Sequence, residues 1–93
     1  MGEAQYRKAA EDVIRIVGKD NIISATHCAT RLRMIVKDKD MINVKELEKL
    51  SLVKGTFFNA GQFQIIFGTG IVNKVYEELE KIGLHTLSKK EQD

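Results

Sequence analysis

Apolar residues recur at helical spacing at Tyr6, Ala9, Ala10, Val13, Ile16 and Val17, and Gly18 follows them. The spacing predicts a first helix from about Ala4 to Val17, closed by the glycine. The period then changes. NIISATH is short, β-branched and apolar at alternate positions, which predicts a first strand over Asn21 to Thr26. In TRLRMIVKD the alternation sets Leu32, Met34 and Val36 on one face of a second strand, and Arg31, Arg33 and Ile35 on the other. The first set is core. The two guanidinium groups then lie side by side on a face left open if helices cover one side only.

NVKELEKL predicts a short second helix, with Asn43 as N-cap, Glu46 completing a capping-box-like pair, and Val44, Leu47 and Leu50 as its apolar stripe. VKGTFFNAGQFQIIFG predicts two strands joined at Asn59-Ala60-Gly61, a hairpin with turn residues at its tip. On its second strand Gln62 and Gln64 share the face opposite Phe63 and Ile65, which assigns them to a solvated or partner-facing surface. GTGIVNKVYEELEKIG predicts a last helix that starts at Thr69 or Gly70 and ends at Gly83. Ile71, Val72, Val75, Tyr76, Leu79 and Ile82 form its stripe. The order α-β-β-α-β-β-α, with short connections within each strand pair, implies an α+β domain: a four-stranded antiparallel sheet with helices over one face. The expected domain runs over residues 1–87, and SKKEQD, residues 88–93, is a polar tail or linker.

Composition narrows the function classes. The 93 residues are 43% apolar and 30% charged with a net charge of +2, as in an ordinary globular domain. That charge is too mild and too interspersed to indicate nucleic acid. A single cysteine forms no internal disulfide, which suits a reducing compartment such as the cytoplasm. No apolar run approaches the roughly 18–20 residues that cross a bilayer. The start MGEAQY lacks a signal-peptide core, and Tyr6 stands where a myristoylation signal wants Ser or Thr.

The lone cysteine raises the question of chemistry. In an intracellular domain such a residue is commonly a small buried hydrophobe. Cys28, however, sits among polar Thr26, His27 and Thr30, where one strand turns into the next. Positive charge from His27, Arg31 and Arg33 favours a thiolate. The backbone N–H groups of Ala29, Thr30 and Arg31 can form a nest for an anion. A thiolate beside an anion nest suggests phosphoryl chemistry. The cysteine-phosphatase spacing fails, because Met34 stands where the arginine should be. Gly68-Thr69-Gly70 lacks the further residues of a nucleotide motif. A zinc site built from His27, Cys28 and distant His85 lacks ligands and spacing.

HCATRLR followed by a strand, then NAGQFQIIFGTG and a final helix, resembles the IIB domain of the bacterial sugar phosphotransferase system. The resemblance is to the glucose–sucrose class, from about Ala9 to Ile82. It is nearer the sucrose, trehalose and β-glucoside branch, since the glucose-specific type tends to carry Ala before the cysteine. The resemblance implies a mechanism. Cys28 would take a phosphoryl group from a phosphohistidine of a IIA domain and pass it to a sugar held by a membrane-embedded IIC domain. Ala29, Thr30 and Arg31 would cradle the phosphate, and Arg31 and Arg33 would serve onward transfer. The same resemblance places the domain on the cytoplasmic side of an inner-membrane permease and calls for no cofactor and no metal. His27 has three open roles: lowering the thiol pKa, contacting IIA, or capping the strand end. Two other classes keep Cys28: a regulatory module that senses phosphorylation, and a thiol redox protein.

Overall fold

A computed structural model of the chain describes residues 2–83; the expected polar tail and His85 lie outside them. Three helices and four strands follow in the expected order: α1 (Gly2–Val17), β1 (Ile22–His27), β2 (Arg31–Val36), α2 (Val44–Glu48), β3 (Gly55–Asn59), β4 (Gln62–Ile66) and α3 (Ile71–Ile82). All strand pairs are antiparallel, and the sheet order is β1-β2-β4-β3. The second hairpin therefore inserts its later strand next to β2. β2 and β4 occupy the centre, and β1 and β3 are the edges.

The sheet buries one face. Ala25, Leu32, Met34, Phe63 and Ile65 all point to it and are almost fully enclosed. α3 packs over β1 and β2, α1 lies against α3 and α2, and α2 reaches β3. The amphipathic stripes complete the layer: Ala10, Val13 and Val17 from α1, and Val72, Val75 and Leu79 from α3, are all enclosed. Each of the valines and the leucine contributes roughly 1.5–3 kcal/mol when fully removed from water. Val36, assigned to the core by alternation, is only partly buried because it ends its strand.

Several boundaries differ from the sequence pattern for physical reasons. β1 begins one residue late because Asn21 belongs to a single 3-10 turn, Lys19–Asn21, and its side chain is buried. Its Nδ2 donates to the carbonyls of Val17 (3.2 Å) and Asp38 (2.9 Å), and its Oδ1 accepts from the Asp38 N–H (2.8 Å). One amide thus ties the end of α1 to the exit of β2. α2 stops at Glu48, two residues short of the expected stripe, although Leu50 still packs on the core. Asn43 caps it through Oδ1 to the Glu46 N–H at 3.2 Å. The Glu46 carboxylate takes Arg15 of α1 at 2.7 Å, so the capping box is only half formed. The β3–β4 loop is two residues, Ala60 and Gly61, at φ 52° and 80°. Positive φ at both positions is the turn whose twist matches that of a hairpin, and glycine adopts it without strain.

The three Asn21 bonds yield a stability prediction. Asn21→Ala removes them and leaves the buried Val17 carbonyl and the partly buried backbone groups of Asp38 without these partners, which costs about 2 kcal/mol. Urea denaturation should show a lower midpoint with an unchanged slope.

Candidate functional site

The site forms where β1 turns into β2, through Cys28, Ala29 and Thr30. Cys28 is partly exposed, so it is not a core hydrophobe. A hairpin turn at this position would normally be closed by two backbone hydrogen bonds between Cys28 and Arg31. Only one has that form: the Cys28 N–H donates to the Arg31 carbonyl at 3.0 Å. The Cys28 carbonyl instead lies 2.9 Å from Nδ1 of His27. A carbonyl oxygen only accepts, so Nδ1 carries the proton and the imidazole supplies this bond. The Arg31 N–H turns to the Cys28 sulfur, as does the Thr30 N–H.

A second backbone bond fixes that direction. Phe67, just beyond β4, donates its N–H to the Thr30 carbonyl at 2.8 Å. The Thr30 carbonyl and the Arg31 N–H belong to one planar trans peptide and point in opposite directions. Holding the carbonyl toward β4 therefore aims the N–H the other way, at sulfur.

These groups act on the thiol. Its pKa is lowered to about 7: the Thr30 N–H lowers it most, partial burial opposes, and the Arg31 N–H, the Arg33 hydrogen bond and the Arg33 charge lower it further. Hydrogen bonds and positive charge stabilise the ionised sulfur, whereas desolvation favours the neutral thiol. Near neutral pH a large share of Cys28 is therefore thiolate.

The two arginines are not equivalent. Both project from the open face of β2, as the alternation predicted. Arg33 reaches the Cys28 sulfur, and its Nη1 also donates to Oε1 of Gln62 at 3.1 Å. Arg31 meets sulfur through its backbone, while its guanidinium donates to Oε1 of Gln64 at 2.8 Å. Gln64 is 4% exposed, which corrects its assignment to a solvated surface. Sequence reasoning had no means of pairing these side chains, because β4 becomes the neighbour of β2 only through the sheet order. Ala29 is exposed, and its N–H is not among the groups that lower the thiol pKa.

His27 faces the helical layer. Its register partner is Leu32, a core residue, and its ring lies 4.6 Å from that of Tyr76, tilted by 58°. Tyr76 in turn donates its hydroxyl to the Ala25 carbonyl at 3.2 Å. The imidazole is thus held on the side of the hairpin away from the guanidinium groups. It touches the site through the Cys28 carbonyl. Among the described residues no group of three or more His, Cys, Asp or Glu is arranged to hold a metal.

A partly exposed thiolate, two amide donors and a guanidinium on an α+β hairpin define a site suited to carrying a phosphoryl group. Comparison with known proteins gives the class a family. The model for the phosphotransferase system, EIIB, matches residues 11–43, a span that includes Cys28, Arg31 and Arg33. The crystal structure of one domain of the PTS system IIabc component from Clostridium difficile superposes with a TM-score of 0.92 at 65% identity, covering 98% of this chain and 96% of that one. The chain belongs to the phosphotransferase-system EIIB family. It is 50% identical over 83% of its length to the sucrose-specific EIIBC component of Staphylococcus xylosus, and 52% identical over 82% to that of Bacillus subtilis (strain 168). It spans only 16% and 17% of those two relatives. Among the described residues no helix is long and apolar enough to cross a membrane.

The site's electrostatics predict a pH profile. Alkylation of Cys28 by iodoacetamide should be half-maximal at pH about 7, falling about tenfold per unit below it as the sulfur is protonated. Replacing Arg33 by Ala should move the midpoint upward, toward the ordinary thiol value of about 8.5. Replacing Arg31 by Ala should move it less, since the Arg31 backbone N–H is retained.

Proposed function

We propose that this chain is a phosphocysteine carrier that takes a phosphoryl group from a IIA phosphohistidine and delivers it to a sugar bound in a IIC membrane domain. What supports this reading is the partly exposed Cys28 thiol, its pKa lowered to about 7 by the Thr30 and Arg31 N–H groups with Arg33 alongside. In the first step Sγ attacks phosphorus, an S–P bond forms, the P–N bond breaks, and its electron pair returns to the donor imidazole. In the second step a sugar hydroxyl oxygen attacks phosphorus and the S–P bond breaks. Sulfur leaves as the thiolate, and the hydroxyl proton passes to a base on the acceptor side or to water.

The residues have distinct parts in this scheme. Cys28 is the nucleophile and then the leaving group. The N–H groups of Thr30 and Arg31 stabilise negative charge on sulfur before attack and again as it leaves; Ala29, in the same loop, offers a further N–H to the phosphate oxygens. Arg31 and Arg33 present planar pairs of donors suited to a phosphoryl group. Positioning and charge stabilisation are the main demands of phosphoryl transfer. The donor phosphohistidine already supplies the driving force, so the scheme calls for no metal and no nucleotide. His27 tunes the thiol indirectly, by occupying the Cys28 carbonyl so that the Arg31 N–H is free for sulfur. The domain unit is residues 1–87 with 88–93 as tail or linker, and its setting is the cytoplasmic side of a sugar permease. The names of the relatives make sucrose the first sugar to test.

With phosphoenolpyruvate, the general phosphotransferase proteins and a matching IIA, intact mass spectrometry should show one added phosphate, absent in Cys28→Ser. An unchanged mass in a system that phosphorylates a control IIB contradicts the proposal. Arg33→Lys should still accept phosphate from IIA but deliver it to sugar at least about tenfold more slowly, since an ammonium cannot reproduce the bidentate contact. Equal loss in both half-reactions would assign Arg33 to folding or docking instead.

A further inference from the structure

Each arginine on the open face is held by an amide, not by a carboxylate. Arg33 Nη1 donates to Gln62 at 3.1 Å and Arg31 Nη1 to Gln64 at 2.8 Å. Elsewhere the chain pairs its arginines with acids: Arg7 with Glu11 and Glu78, and Arg15 with Asp12 and Glu46. None of the ion pairs among the described residues involves Arg31 or Arg33. The register extends the contrast. The positions that share this face beside β2 and β4 are Ser24 and Thr26 on β1 and Phe57 and Asn59 on β3. No Asp or Glu stands among them, and His27 lies on the opposite face against Tyr76. Arg31 and Arg33 are thus the charged residues of the face.

We propose that Gln62 and Gln64 are positioning residues, neutral acceptors that fix the guanidinium groups of Arg33 and Arg31 while leaving their charge uncompensated for an anion at Cys28. The amide oxygen of glutamine accepts a guanidinium N–H as a carboxylate oxygen does, and the side chain has the same length as that of glutamate. What it lacks is the negative charge. A carboxylate here would orient the arginine equally well but would cancel its field at sulfur and repel an arriving phosphoryl group. Gln64 adds rigidity, because its enclosure leaves it little freedom to release Arg31. Only the identity of the anion rests on the phosphocarrier function proposed above.

The test separates charge from packing and does not depend on a working transport system. Thiolate absorbance of Cys28 is followed against pH at low salt in the parent chain, Gln62→Glu and Gln62→Met. Gln62→Glu should raise the thiol midpoint by about half a unit or more, because the new carboxylate offsets Arg33. Gln62→Met keeps the charge of Arg33 uncompensated and should move the midpoint by less than about half that amount. The Glu shift should shrink as salt is added. Equal shifts in the two variants, or none in Gln62→Glu, overturn the proposal whatever the protein's biological role. In a second arm, Gln64→Glu should lower delivery of phosphate to sugar about tenfold or more with the fold retained by circular dichroism, and delivery at the parent rate overturns the Gln64 assignment. If Gln64→Glu does not fold, or the parent accepts no phosphate, the Gln62 titrations decide alone.

Discussion

A hairpin turn closed by one backbone hydrogen bond instead of two has an amide donor to spare, and in the turn between β1 and β2 that donor points at Cys28. The chemistry of the chain depends on this exchange of partners. The Cys28 carbonyl takes the His27 imidazole. The Thr30 carbonyl takes the Phe67 N–H, which turns the Arg31 N–H toward sulfur. Backbone donors are well suited to the task because planar peptides on a paired sheet do not relax away from the charge they face. The thiol then ionises near neutrality because the thiolate satisfies donors that the neutral thiol satisfies poorly.

The sheet order supplies the second half of the site. With β2 and β4 at the centre, the arginines of one strand reach diagonally to the glutamines of the other, and the edge strands contribute only neutral side chains to that face. Arg33 serves sulfur directly. The guanidinium of Arg31 is held one position away, on Gln64. Two residues that look alike in the motif Arg-Leu-Arg therefore differ in what they touch. The buried face behind them, from Leu32 and Met34 to Phe63 and Ile65, keeps the strands in the register that sets these diagonals.

Much of this was legible in the residues. Periodicity gave the seven elements, and alternation along β2 separated Leu32 and Met34 from Arg31 and Arg33, because strand geometry leaves no other arrangement. The cysteine's setting at a strand end, with arginines following, pointed to an ionised sulfur. Other features depended on tertiary neighbours and left no local signal. Gln64 reads as a surface residue because its partner, the Arg31 guanidinium, comes from a neighbouring strand that local sequence does not reveal. Asn21 reads as strand because its two partners, Val17 and Asp38, belong to α1 and to the segment after β2. His27 reads as part of the charged cluster, and only Tyr76 from the last helix shows that its ring lies on the other face.

The central claim is that the Thr30 and Arg31 amides hold the Cys28 sulfur. Amide chemical shifts followed by two-dimensional nuclear magnetic resonance across a pH titration test it most directly. Both amide protons should move with a midpoint at pH about 7, in step with thiolate absorbance, and the movement should vanish in Cys28→Ser. A sulfur that ionises near the ordinary thiol value of about 8.5, or one that ionises while those two amides stay still, would contradict the account.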